Sequence, residues 1–146
     1  MPIEIQDCDG GNGNIIASRG VVTDQMLIDI LGKHLMQDNE KIKSYKYILL
    51  DHTALTKMDV TNETVESIAD LCADTSRANP DPVVAMVTNV SMGAGIDLIN
   101  RVSRLYALFI NRSCWETMVF RTKSEAVRWL RGKVKEKFGI DDLTFC

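Results

Sequence analysis

The sequence predicts a single α/β domain of order β-β-α-β-α-β-α-β-α, with a mixed, largely parallel sheet and helices mainly on one face. Three observations predict it. A pair of short strands is joined by a Gly/Asn-rich turn, two uninterrupted apolar runs read as central strands, and the segments between strands carry apolar stripes at helical spacing.

In chain order, "IEIQDC" alternates apolar and polar residues, and "NIIASRGVV" follows it after "DGGNGN", which together read as a hairpin. "TDQMLIDILGKHLMQ" reads as one helix capped by Thr23 or Asp24, with Leu27, Ile30, Leu31, His34 and Leu35 as its stripe. "YKYILLDHT" is too apolar to be exposed on either face and should be central, ending at Asp51. A helix from about Asn62 to Ala78 turns Val65, Ile68, Ala69 and Cys72 inward.

"ANPDPVVAMVTN" opens with prolines that forbid helix and continues as a second buried strand. Ser91 and the glycines of "SMGAG" lead into a helix carrying Ile96, Ile99, Val102, Tyr106 and Phe109 on one side. "CWETMVF" is a half-exposed strand. "TKSEAVRWLRGKVKEKFG" opens with a capping box, Thr122 and Glu125, and closes with Gly139. Right-handed crossovers then make the strands after the hairpin parallel. Residues 1–140 form the domain, and 141–146 are expected to be a loosely held tail.

At 146 residues, with 45% hydrophobic and 25% charged side chains, the composition is that of an ordinary globular domain. A net charge of -3 gives no electrostatic reason to expect nucleic acid or an anionic membrane. The apolar runs are too short to cross a bilayer, and "MPIEIQDCDGG" lacks the basic region and apolar core of a signal peptide, so a cytoplasmic location is expected. Cys8, Cys72, Cys114 and Cys146 lie far apart with no Cys-x-x-Cys pair, which argues against a zinc site. They are expected to be free thiols, with no metal and no cofactor bound.

Catalytic patterns are weak. A triad could be imagined from Ser91, His52 and Asp59, but there is no nucleophile elbow. "GGNG" precedes a strand and lacks the Lys-Ser/Thr ending of a phosphate loop. "SMGAG" sits better, between strand and helix, yet lacks a third glycine and a ribose-binding acid. The helix "IDLINRVSRLYALFI" is apolar over most of its circumference. The excess beyond one core stripe could be covered by a loop, form a homodimer, or hold a small apolar or lipid-like ligand against Ile96, Ile99, Leu105 and Leu108.

"ILLDHTALTKMDVTNETVESIADL" combines a buried strand, a polar turn and an amphipathic helix. With the element order and "VFRTKSEAVRWL", it resembles the STAS domain of bacterial anti-sigma-factor antagonists. It is also similar to the antagonist-like bacterial proteins that share this sheet with lipid-binding CRAL-TRIO domains. Asp59, Val60, Thr61 and Asn62 fall where that group reads Asp-Ser-Ser-Gly, and the phosphoacceptor position lands on Thr61. The resemblance implies a non-enzymatic regulatory module whose partner is an anti-sigma-like regulator or a kinase. That partner would meet Met58, Asp59, Val60, Thr61 and Asn62. A phosphoryl group on Thr61 would place about two negative charges at a helix N-terminus. The plainer role of Thr61 is a helix N-cap, worth about 1 kcal/mol.

Overall fold

The computed structural model of the chain describes residues 2–37, 39–88 and 95–146. Five strands form one sheet in the order β1-β2-β3-β4-β5: β1 Ile3–Cys8, β2 Gly13–Thr23, β3 Tyr47–Asp59, β4 Val83–Val87 and β5 Glu116–Phe120. β1 runs antiparallel to β2, and β2 through β5 are mutually parallel. Because the order is sequential, crossovers of one hand lay their helices on one face of the sheet.

That face carries α1 (Asp24–Met26), a π-helical turn (Leu27–Gly32), α2 (Lys33–Gln37), α3 (Asn39–Ser44), α4 (Asn62–Ala78) and α5 (Ile96–Arg112). Its core contains Ile16, Ile48, Met86, Ile68, Val102 and Phe109. α6 (Lys123–Phe138) packs on the opposite face, where Ala126, Leu130 and Val134 meet Leu49, Val83 and Ala85. The expected arrangement, helices mainly on one face, is the one observed.

The local signals explain the helix ends. Thr122 Oγ1 accepts the Glu125 N–H at 3.2 Å, and Gly139 closes α6 in the left-handed conformation at φ 72°. Thr23 caps α1 by accepting the Met26 N–H at 3.4 Å. The single helix expected over 23–37 is interrupted by the π-helical turn, and α3 was not foreseen. The strand expected to end at Asp51 instead continues to Asp59. Beyond Asp51 it pairs with β2 alone, through register shifts opposite Ala17–Arg19 and Gly20–Val21.

Two further expectations are corrected. Cys8 and Cys146 form a disulfide across a sequence separation of 138, so only Cys72, buried, and Cys114, exposed, are free thiols among the described cysteines. The tail is not loose. Leu143 and Phe145 are buried in the α6-side core, with the Phe145 ring 4.6 Å from that of Tyr47. Asp9 grips the tail by accepting the Thr144 N–H, the Thr144 hydroxyl and the Phe145 N–H at 2.6, 2.8 and 3.1 Å. Burial tends to raise the Asp9 pKa, but the hydrogen bonds from Tyr47, Thr144 and Phe145 outweigh it and hold the carboxyl below its ordinary value.

Candidate functional site

The turn from β3 into α4 lies at the carboxyl end of the parallel strands, where open α/β sheets meet their ligands. Thr61 has extended backbone, φ -83° and ψ 157°, and its Oγ1 accepts the Thr64 N–H at 3.3 Å. The predicted cap is therefore present, and the side chain stays exposed. The Thr61 hydroxyl donates to Thr64 Oγ1 at 3.2 Å, while the Thr61 N–H donates to the Asp24 carboxylate at 2.8 Å. One residue earlier, the Val60 carbonyl accepts from the exposed Arg101 guanidinium of α5.

Of the five turn residues singled out in the sequence, Asp59, Thr61 and Asn62 are exposed, whereas Met58 and Val60 are buried. Their apolar side chains root the turn in the core and leave a polar ledge above it. Sequence reasoning did not find Asp24 or Arg101. Both act on the ledge from other elements, and no local pattern links residues 37 and 41 positions apart. The ledge mixes charges, with Asp24, Asp59 and Glu63 against Arg101. An anion added at Thr61 would meet both signs.

His52 sits deeper, where the β2/β3 register slips. Its Nδ1 lies 2.5 Å from the Tyr106 hydroxyl, the two rings stack at 5.5 Å between centroids, and Tyr106 Oη lies 3.3 Å from the Val87 carbonyl. Protonated Nδ1 donating to Tyr106, with Tyr106 donating onward to Val87, gives each group one hydrogen bond to make. Burial drives the His52 pKa down to about 4 against a weaker opposing pull from Asp51, so the ring is neutral at pH 7. Burial likewise raises the Tyr106 pKa.

The imagined triad is not assembled by the described residues. Asp51 accepts from Thr53 instead, through both its N–H and its hydroxyl. Asp59 lies seven residues along β3 from His52, on the order of 20 Å of strand. Ser91, with most of "SMGAG", lies outside the described residues. Among the described residues no three His, Cys, Asp or Glu side chains are grouped to hold a metal, and no helix is long and apolar enough to cross a membrane.

Between the sheet and the helices of its first face is a cavity of about 60 Å³. Ile16, Ile48, Leu50, Met86, Phe109 and Trp115 form much of its apolar wall, and Asn14, Ser18, His34 and His52 are its polar members. Of the four residues expected to hold an apolar ligand, Leu105 lines this cavity. Leu108 and Ile99 are half-buried, and Ile96 is 73% exposed at the first turn of α5.

The fold is similar to that of a solved structure described as the anti-sigma factor antagonist SpoIIAA in its unphosphorylated form. The TM-score is 0.53 at 13% sequence identity, and the match covers 89% of this chain and 98% of that one. This is a likeness of fold, and it agrees with the α/β class and element order read from the sequence. No protein-family model and no curated protein matches the sequence.

Proposed function

We propose that the chain is a non-enzymatic regulatory module that docks a protein partner on the ledge of Asp59, Thr61 and Asn62 and the exposed side of α4. The observation that carries this reading is the exposed Thr61, whose hydroxyl oxygen caps α4 while its amide is tied to Asp24. The similarity to an anti-sigma factor antagonist supports it. The partner in mind is an anti-sigma-like regulator or its kinase, met in the cytoplasm of a bacterium.

Thr61 is the candidate phosphoacceptor. A phosphoryl group there would bring about two negative charges to the start of α4. It would compete with the Asp24 carboxylate for the same amide and draw Arg101 away from the Val60 carbonyl. Both neighbours of the turn would rearrange, and a partner fitted to the unmodified ledge would lose its contacts. Met58 and Val60 serve as the buried footing of the ledge.

The test is a pull-down from the native lysate with the wild type, Thr61→Ser and Thr61→Glu, alongside phosphopeptide mapping after incubation with lysate and ATP. The reading expects a partner held by the wild type and by Thr61→Ser, lost by Thr61→Glu, and modification at Thr61. Equal capture by all three, with Thr61 unmodified, would remove the switch. A second reading, a carrier or sensor of a small apolar ligand, is favoured by the apolar cavity beneath α5.

A further inference from the structure

Asn14 is fully buried, at 0% exposure, one residue into β2. Its Nδ2 donates to the Gln6 carbonyl at 3.3 Å and to Asp7 Oδ1 at 3.2 Å. Both partners are acceptors, so the amide can face them only with its nitrogen. Its Oδ1 is then left buried with no hydrogen-bond partner in the chain, the one such side-chain atom among the described residues. Buried acceptors are nearly always paired, so this exception asks for a donor from outside the chain.

Asn14, Ile16 and Ser18 point to the same face of β2, and all three line the cavity. In register beside them on β3 are Ile48 and Leu50, which line it too. At about 60 Å³ the cavity is less than half of the roughly 150 Å³ that holds a benzene ring, so it suits a molecule of only a few heavy atoms. A water molecule placed on Oδ1 would spend one hydrogen there and face a largely aliphatic wall with the rest. A molecule with one hydroxyl and a carbon body would leave no hydrogen unpaired, only the lone pairs of its own oxygen. The carboxylate of Asp7, bonded to the Asn14 amide, disfavours an anion beside it.

We infer that the cavity is a binding site for a small neutral molecule with an apolar body and a single hydroxyl, the hydroxyl donating to Asn14 Oδ1. This deepens the carrier reading and is independent of the ledge at Thr61. It moves the ligand from the outer side of α5 to the interior, and it turns a general apolar site into one that selects for a donor.

Ethanol, propane and acetate separate these features, because ethanol and propane have nearly the same shape and differ in one group. Each is titrated into the intact protein while NMR follows the methyls of Ile16, Ile48 and Leu50 and the side-chain amide of Asn14. Ethanol is expected to shift all of them saturably, propane to bind about ten-fold more weakly, and acetate to shift none. Leu105→Trp, which fills the cavity from α5, should abolish the ethanol response. If that variant does not fold, the three probes on the wild type decide alone. Propane binding as tightly as ethanol, with the Asn14 amide unmoved, would overturn the pairing and leave the carrier reading standing. No saturable shift with either would overturn both.

Discussion

Asp24 and Thr61, 37 residues apart in the chain, are joined at 2.8 Å by a hydrogen bond from the Thr61 backbone N–H to the Asp24 carboxylate. Asp24 begins α1 and Thr61 caps α4, so the start of one crossover helix completes the start of the next. The contact follows from the sheet: β2 and β3 are paired to their ends, with Thr23 opposite Asp59, and each strand leads directly into its helix. Asp24→Ala should lower stability by about 1 kcal/mol, and Asp24→Asn, which keeps an acceptor, by less. Urea denaturation of the two variants measures this. Equal losses would mean that the charge of Asp24, and not its hydrogen bond, holds α4.

Thr61→Ala removes the other half of the same helix start, and it should likewise cost about 1 kcal/mol. Because the two residues share one turn, the double variant Asp24→Ala/Thr61→Ala should fall short of, or exceed, the sum of the singles. Strict additivity in a denaturation cycle would show that the two act independently.

Gly13 exists for Tyr47. A Cβ at position 13 would lie 1.9 Å from the Tyr47 ring, which is itself 0% exposed and held by Phe145 and by a 2.6 Å bond from its hydroxyl to Asp9. The ring has nowhere to retreat. Gly13→Ala should therefore destabilise by about 2–3 kcal/mol and also loosen the tail, since Asp9 holds both. Thermal unfolding gives the first effect, and amide exchange at Thr144 and Phe145 the second.

The difference between what could be read in the sequence and what could not is one of distance along the chain. The caps at Thr61 and Thr122 are legible because a hydroxyl before an apolar stripe is a signal within four residues. Val83–Val87, buried at every position, is legible as an unbroken apolar run. The far half of β3 is not. Its inward residues Leu55 and Met58 are three apart, because Thr56 is skipped in the register with β2, and a slip of one residue destroys the alternation that marks a strand. Of the site, the exposed threonine could be read. Asp24, Arg101 and the unpaired Asn14 Oδ1 could not, because each is defined by partners brought together only by folding.

The Cys8–Cys146 disulfide closes nearly the whole chain, and a loop of that length gives a chain-entropy stabilisation of about 5 kcal/mol at most. Reduction, or Cys146→Ser, should lower stability by about 2–5 kcal/mol. The hydrogen bonds from Thr144 and Phe145 to Asp9 should still seat the tail. Denaturation with and without reductant measures the loss, which should disappear in Cys146→Ser. A reductant effect that persists in that variant would place the sensitivity elsewhere.

His52 gives the stability a pH dependence of definite sign. Its pKa is about 4 in the folded protein against 6.5 for the free side chain, because burial penalises the imidazolium more than Asp51 favours it. Between those values the unfolded chain takes up a proton that the folded chain refuses, so stability falls as pH drops through the window. Above it both states are neutral and the contribution is constant. The carboxylates, Asp9 among them with its lowered pKa, add their own losses at the acid end, so the comparison belongs between pH 6.5 and 5. There His52→Phe should show a flatter stability profile than the wild type when both are unfolded by urea at a series of pH values. Parallel profiles would mean that the ring is protonated in the fold and that Tyr106 accepts from an imidazolium.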